Sequence, residues 1–100
     1  MSDEEFWECV GFVRRSRTRK EILQHLQESG NPLTPTDLSQ RLGKDMKNVS
    51  RELSKLSDRG EVECVNPDAA NMRMYRITDR GSDVMERVTA IEQEQAEYEE

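Results

Sequence analysis

Lys47, Arg51 and Lys55 stand four residues apart, so on an α-helix they lie one above another along a single face. In an isolated helix each such like-charge pair costs roughly 0.2–0.5 kcal/mol. A polyanion laid along that face reverses the sign, because each cation then meets a phosphate and releases a condensed counterion. Asn48, Ser50 and Arg51 carry donors and acceptors of the kind that read base edges: a carboxamide matches adenine and a guanidinium matches guanine. Lys44, Lys47 and Lys55 supply the compact charges suited to phosphates. The competing use of such a row is a solvated helix face, with Glu52 and Asp58 as partial counter-charges.

The element that must carry these residues is written in the apolar spacing. Met46, Val49, Leu53 and Leu56 recur at intervals of 3, 4 and 3, which predicts a helix capped by Asp45 and ended by Arg59 and Gly60. On a helical wheel Val49, Leu53 and Leu56 share one side, and Lys47, Arg51 and Ser54 fall nearly opposite. Lys44, Asn48, Ser50 and Lys55 take the edges. A shorter helix precedes it, with Thr34 as cap, Pro35 in the first position, Asp37 in the first turn, and Leu38 and Leu42 facing inward before Gly43. Earlier still, Ser16 opens a helix to about Ser29 with Ile22, Leu23 and Leu26 on its buried side, stopped by Gly30, Asn31 and Pro32. Phe6, Val10 and Val13 fit a further helix at the N-terminus, where a short strand is the other option.

From Glu61 the period changes to two. Val62 and Cys64 alternate with Glu61 and Glu63, predicting a strand with one wet face. Asn66, Pro67 and Asp68 are turn residues, Ala69 to Asn71 complete a loop tip, and Met72 to Thr78 form the returning strand, with Tyr75 and Ile77 toward the core. Asp79, Arg80 and Gly81 break that strand, and a last helix is expected from about Ser82. Along it Val84, Val88, Ile91, Gln95 and Tyr98 make a seam of about two heptads, too short to be stable alone.

The predicted fold is mainly α with a small β-hairpin: a three-helix core plus wing, with helical extensions at both ends. Residues 1–13 form an apolar and acidic segment, 14–81 the central domain, and 82–100 a terminal helix with an acidic tail. In RRSRTRKEILQHL, TPTDLSQRLGKDMKNVSRELSKLSDRGEVECVNP and MYRITDRG, covering residues 12 to 88 as a whole, the chain resembles archaeal and bacterial winged helix-turn-helix regulators of the ArsR/MarR-like superfamily. The resemblance implies a transcriptional regulator that reads double-stranded DNA through helix 45–59. The alternative is a winged-helix module that binds proteins and not DNA. Arg73, with Asn71 beside the wing tip, either enters a minor groove or pairs with Glu61 or Glu63. Arg17 belongs to a basic cluster with Arg14, Arg15, Arg19 and Lys20, part of which flanks the phosphate backbone and part of which pairs with Glu21. Thr34 and Thr36 either cap their helix or bond phosphates. Phe6, Trp7 and Phe12 are many large apolar groups for a small domain. With Val84, Val88, Ile91 and Tyr98 they form either a homodimer interface, which would set two reading helices about one DNA turn apart, or an intramolecular packing of the terminal helices.

The remaining numbers set bounds. One hundred residues make one domain, and 36% charged against 33% hydrophobic leaves room for a modest core only. The formal charge is −6, yet it is divided: residues 1–13 hold four acids and no base, 81–100 seven acids and one base, and 14–80 fourteen bases and ten acids. A basic centre between acidic ends suits an interaction surface. No apolar run approaches the roughly 20 residues of a membrane span, and the acidic opening is no signal peptide, so a soluble cytoplasmic protein is expected. Cys9 and Cys64 fit neither a disulfide framework nor a metal site; Cys64 reads as a small core residue, and Cys9 beside Trp7 as a minor candidate for thiol sensing. His25, the one histidine, reads as structural. No phosphate-cradling loop or catalytic pair is present, so neither cofactor nor enzyme is expected, and any small-molecule effector is unspecified.

Overall fold

The computed structural model describes residues 2–98, with side chains through Gln95. The chain runs α1 (Asp3–Arg14), α2 (Arg17–Ser29), α3 (Pro35–Leu42), α4 (Met46–Asp58), β1 (Val62–Cys64), β2 (Tyr75–Ile77) and α5 (Asp79–Tyr98). Short polar side chains start the first three helices. The hydroxyls of Ser2, Ser16 and Thr34 accept the N–H groups of Glu5, Arg19 and Asp37, each satisfying one donor that a helix leaves unpaired. The N-terminal apolar cluster is therefore helical, and the strand option is excluded. Asp45 sits at the N-cap of α4 but makes no side-chain capping bond there.

β1 and β2 pair antiparallel, with Val62 opposite Ile77 and Cys64 opposite Tyr75. Leu33 adds a bridge to Tyr75 on the far side, with backbone bonds of 2.9 and 2.8 Å. The returning strand is thus shorter than the expected Met72–Thr78. Asn66 shapes the tip, accepting the Met74 N–H at 2.7 Å and donating to the Met72 carbonyl at 3.3 Å.

The core lies where α2, α4, β1 and the terminal helices meet. Val13, Ile22, Leu23, Leu38, Val49, Leu53, Leu56, Val62, Val84 and Val88 are all buried there. Two of these, together with Phe12, answer a question the sequence left open. Phe12, Val84 and Val88, assigned either to a second chain or to packing between the terminal helices, take the second course: they are buried in this chain's own core, where α1 packs along α5. Ile91 and Phe6 are half-buried against the same cluster, and the side chain of Tyr98 lies outside the described residues.

Two further expectations are corrected at the junction of hairpin and last helix. Glu61 does not face water: it is fully buried, because it precedes β1 and its carbonyl receives the Thr78 N–H at 3.1 Å. The last helix starts at Asp79, earlier than Ser82. The Thr78 hydroxyl accepts the Gly81 N–H at 3.1 Å while donating to the Gly60 carbonyl at 2.7 Å, so it caps α5 and ties it to the end of α4. Gly81 is required here. A methyl group on it would stand 2.0 Å from the Glu61 carbonyl oxygen, far inside contact distance. Gly81→Ala is expected to lower the unfolding free energy by roughly 1–3 kcal/mol or more, the scale of overpacking. Gly30→Ala meets no neighbouring atom, only a left-handed backbone (φ 67°), and should cost about 1 kcal/mol. Urea denaturation of both variants checks the order.

Candidate nucleic-acid interface

The orientation of α4 is set from its buried side. Val49, Leu53 and Leu56 have no exposed surface, so the positions opposite them must face outward. Gly43, at φ 65°, turns the chain between α3 and α4 in the left-handed region that favours glycine. The Ser39 hydroxyl donates to the Lys44 carbonyl and the Lys44 N–H returns to the Ser39 carbonyl, which closes the turn. Glu52 is not a solvated counter-charge. It points inward, where Arg19 Nε donates to it at 2.8 Å. Arg19 also donates to the Phe12 carbonyl at 2.8 Å, and its guanidinium lies 3.7 Å from the centre of the Phe12 ring. Burial pushes the Glu52 carboxyl up, but the Arg19 hydrogen bond and charge, with Lys55, outweigh it and hold the group below its ordinary range.

Of the residues singled out in the sequence, Lys47, Ser50 and Arg51 are exposed on the outer side of α4. Among the described residues no carboxylate lies within ion-pair distance of Lys47 or Arg51. Arg51 donates to the Asn48 carboxamide at 3.1 Å, which pre-orients the two groups named for base edges. Lys55 lies 3.5 Å from Glu52 but remains nearly half exposed. Arg17 is open to solvent, 3.5 Å from Glu21. Thr36 is exposed at the start of α3.

Other assignments change. Thr34 is buried and forms a reciprocal cap with Asp37, its hydroxyl accepting the Asp37 N–H and its own N–H donating to the Asp37 carboxylate, so it serves as a cap and is not open to a phosphate. Those same Thr34 bonds hold the Asp37 carboxyl below its usual range. Lys44 donates to Thr18 at 2.8 Å and approaches Glu21 at 4.0 Å, pinning the turn to α2. Arg73 pairs with neither Glu61 nor Glu63; it donates to the Ala69 carbonyl at 3.2 Å within the wing, and Arg76 is the partner of Glu63. Sequence reasoning missed Met46 and Met72, which stand exposed on either side of a cleft between α4 and the wing. Met46 fitted the apolar repeat, so its spacing pointed to the core.

The family model described as HVO_A0261 N-terminal domain matches residues 7–98. The chain belongs to this family. No curated protein matches the sequence significantly. Among solved structures, the HVO_A0261 N-terminal domain seen here is similar to a MarR family transcription regulator, SP03579, with a TM-score of 0.71 and 24% identity over 83% of this chain and 55% of that one. Transcriptional regulator Tm0710 from Thermotoga maritima aligns with a TM-score of 0.69 and 24% identity over 89% and 66%. The AntR antimony-specific transcriptional repressor aligns with a TM-score of 0.64 and 27% identity over 87% and 78%. The fold is that of winged-helix regulators of MarR and ArsR type, as the resemblance implied. The chain spans only about half to two thirds of the first two structures' length. No described helix is long and apolar enough to cross a membrane.

Beneath the end of α4 this family member buries a charged group. Among the described residues neither oxygen of Glu61 has a hydrogen-bond partner, nor does Arg80 Nε. Burial pushes the Glu61 carboxyl up, and the neighbouring Cys9 thiol, Arg59, Arg80 and Arg19 oppose this without cancelling it. Burial, with Glu61 beside it, likewise pushes the Cys9 thiol up, which disfavours the thiolate that sensing chemistry needs. A carboxyl raised by folding holds its proton longer in the native state than in the unfolded chain. Its stabilising contribution is therefore complete below the ordinary pKa of 4.5 and is lost as pH rises through the elevated value. Glu61→Gln should accordingly resist urea better than the parent at about pH 7, with the gap closing toward about pH 4. A less stable variant at neutral pH would mean that the anion is held favourably.

Proposed function

We propose that the chain is a transcriptional regulator that binds double-stranded DNA, with α4 in the major groove and the wing beside it. The observation that carries this reading is the pair of cations Lys47 and Arg51, without a carboxylate partner among the described residues and turned outward opposite a fully buried stripe. A salt-bridged or occluded row would have no charge to offer; this one costs the isolated helix energy that phosphates recover. Arg51, braced by Asn48, has the fork geometry for a guanine edge. Lys47 and the partly open Lys55 and Arg17 suit phosphates, and Arg73 on the wing suits the adjoining minor groove. The likeness in fold to proteins titled transcription regulators and a transcriptional repressor supports the same use.

Binding to duplexes selected from a random library should weaken steeply with salt, by about 0.9 log units per log unit for each phosphate neutralised. Lys47→Glu should cost at least tenfold at every sequence. Arg51→Ala should cost roughly 1–3 kcal/mol and relax preference at one base pair. Absence of duplex binding even at low salt would leave the fold as a protein-interaction module, with the net −6 charge repelling DNA.

Two-fold binding requires a second copy, and the face left for it differs from the sequence-based one. Trp7 is 53% exposed, set edge-to-face against Phe6 with centroids 5.7 Å apart. Arg87 of α5 lies 5.8 Å from its ring centre. A homodimer through Phe6, Trp7 and Ile91 would cover this patch, leaving Phe12, Val84 and Val88 in each protomer's core. Trp7→Glu combined with Arg87→Glu should therefore sediment as a folded monomer and lose DNA affinity. A variant that remains dimeric places the contact elsewhere.

A further inference from the structure

Trp7, Met46, Val65 and Met72 are the large apolar side chains that stand exposed among the described residues. Trp7 has its place on the α1–α5 face. Met46 and Met72 share another: they border one cleft of about 430 Å³ together with Thr36, Ser50 and Arg73. Neither is simply loose at the surface. Met46 is the first residue of α4, and the Thr36 hydroxyl donates to its sulfur at 3.3 Å, which lays the side chain across the junction of α3 and α4. Met72 has a φ of 56°, a left-handed conformation uncommon for a residue other than glycine. The Asn66 carboxamide donates to the Met72 carbonyl and accepts the Met74 N–H, and 77% of Met72 is exposed.

The surroundings select the kind of partner. Lys47 and Arg51 lie on the exposed side of the same helix, and Arg73 lines the cleft itself. An apolar protein surface would strand those charges, whereas a polyanion with an apolar group on its base edges satisfies both. In duplex DNA the major-groove edge offers one such group, the 5-methyl of pyrimidines, present on thymine and absent from cytosine. A thioether is polarisable and flexible enough to pack on it, and Ser50, one turn beyond Met46, adds a hydroxyl for a neighbouring edge.

We propose that Met46, with Met72 closing the cleft on the wing side, is a specificity residue that packs on the 5-methyl group of thymine. This rests on the DNA-binding reading above. A methyl group buried at the contact strengthens binding by about fourfold. The contact discriminates T·A pairs without using a hydrogen bond.

The test uses the best duplexes that the chain selects from a random library, resynthesised with deoxyuridine in place of each thymidine in turn, which removes only the methyl group. At one or more positions the substitution should weaken binding by about fourfold. Met46→Ala, a change at an exposed site, should bind with the same salt dependence and no longer distinguish thymine from uracil there, and Met46→Leu should restore the distinction. Wild-type binding that is indifferent to uracil at every position overturns the inference while leaving DNA binding intact, as does a sensitivity that survives in Met46→Ala. Failure to bind any duplex at low salt removes both readings together.

Discussion

The pairing of Arg19 with Glu52 decides which way α4 faces. A helix held by three aliphatic side chains can still roll through tens of degrees, since hydrophobic contact is not directional. Glu52 ends that freedom. It lies on the flank of the buried stripe, and a carboxylate taken out of water must keep its partner. Arg19 answers it from α2 while resting on Phe12 from α1, so three helices meet at one charge pair. Arg59, just past the end of α4, also lies over the Phe12 ring, at 3.9 Å. Such a pair adds little net stability compared with a well-packed apolar replacement. Its contribution is directional: rotating α4 to hide Lys47 and Arg51 would pull Glu52 off Arg19.

The arrangement also accounts for the division of charge along the chain. Two acids of the terminal segments meet bases of the centre within the fold: Glu92 lies 2.7 Å from Lys20, and Glu5 lies 3.7 Å from Arg80. These contacts fall on α2 and at the start of α5, away from the exposed side of α4. The carboxylates thus neutralise bases that the fold uses as struts, while the outer face of α4 keeps its own charges. A negative total and a positive local surface coexist without conflict, because screening at physiological salt limits their mutual influence to roughly 8 Å.

The fold was legible because its signals are local and repeated. Ser16, Thr34 with Pro35, and Gly43 mark helix ends by chemistry that acts within four residues, and all hold those positions. The 3–4–3 spacing on α4 gave its buried face correctly apart from Met46. What could not be read is whatever depends on a partner distant in sequence. Alternation placed Glu61 in water, yet a contact with α5, some twenty residues onward, covers it. Lys44 was grouped with the phosphate contacts on charge alone, but Thr18 and Glu21 were waiting on α2. The apolar seam of the last helix was real, and period alone does not say whether its partner belongs to the same chain. Val84 and Val88 found theirs in α1.

The absence of a side chain at Gly81 has a mechanical meaning. In its first turn α5 meets the backbone at the entrance to β1 without an intervening side chain of its own, and Thr78 ties the same corner to the Gly60 carbonyl just past α4. Soft side-chain packing would absorb a small displacement; a rigid joint passes it on. The long terminal rod and the trailing end of the helix that carries Lys47 and Arg51 thus share one corner, and a side chain at position 81 would have to move both.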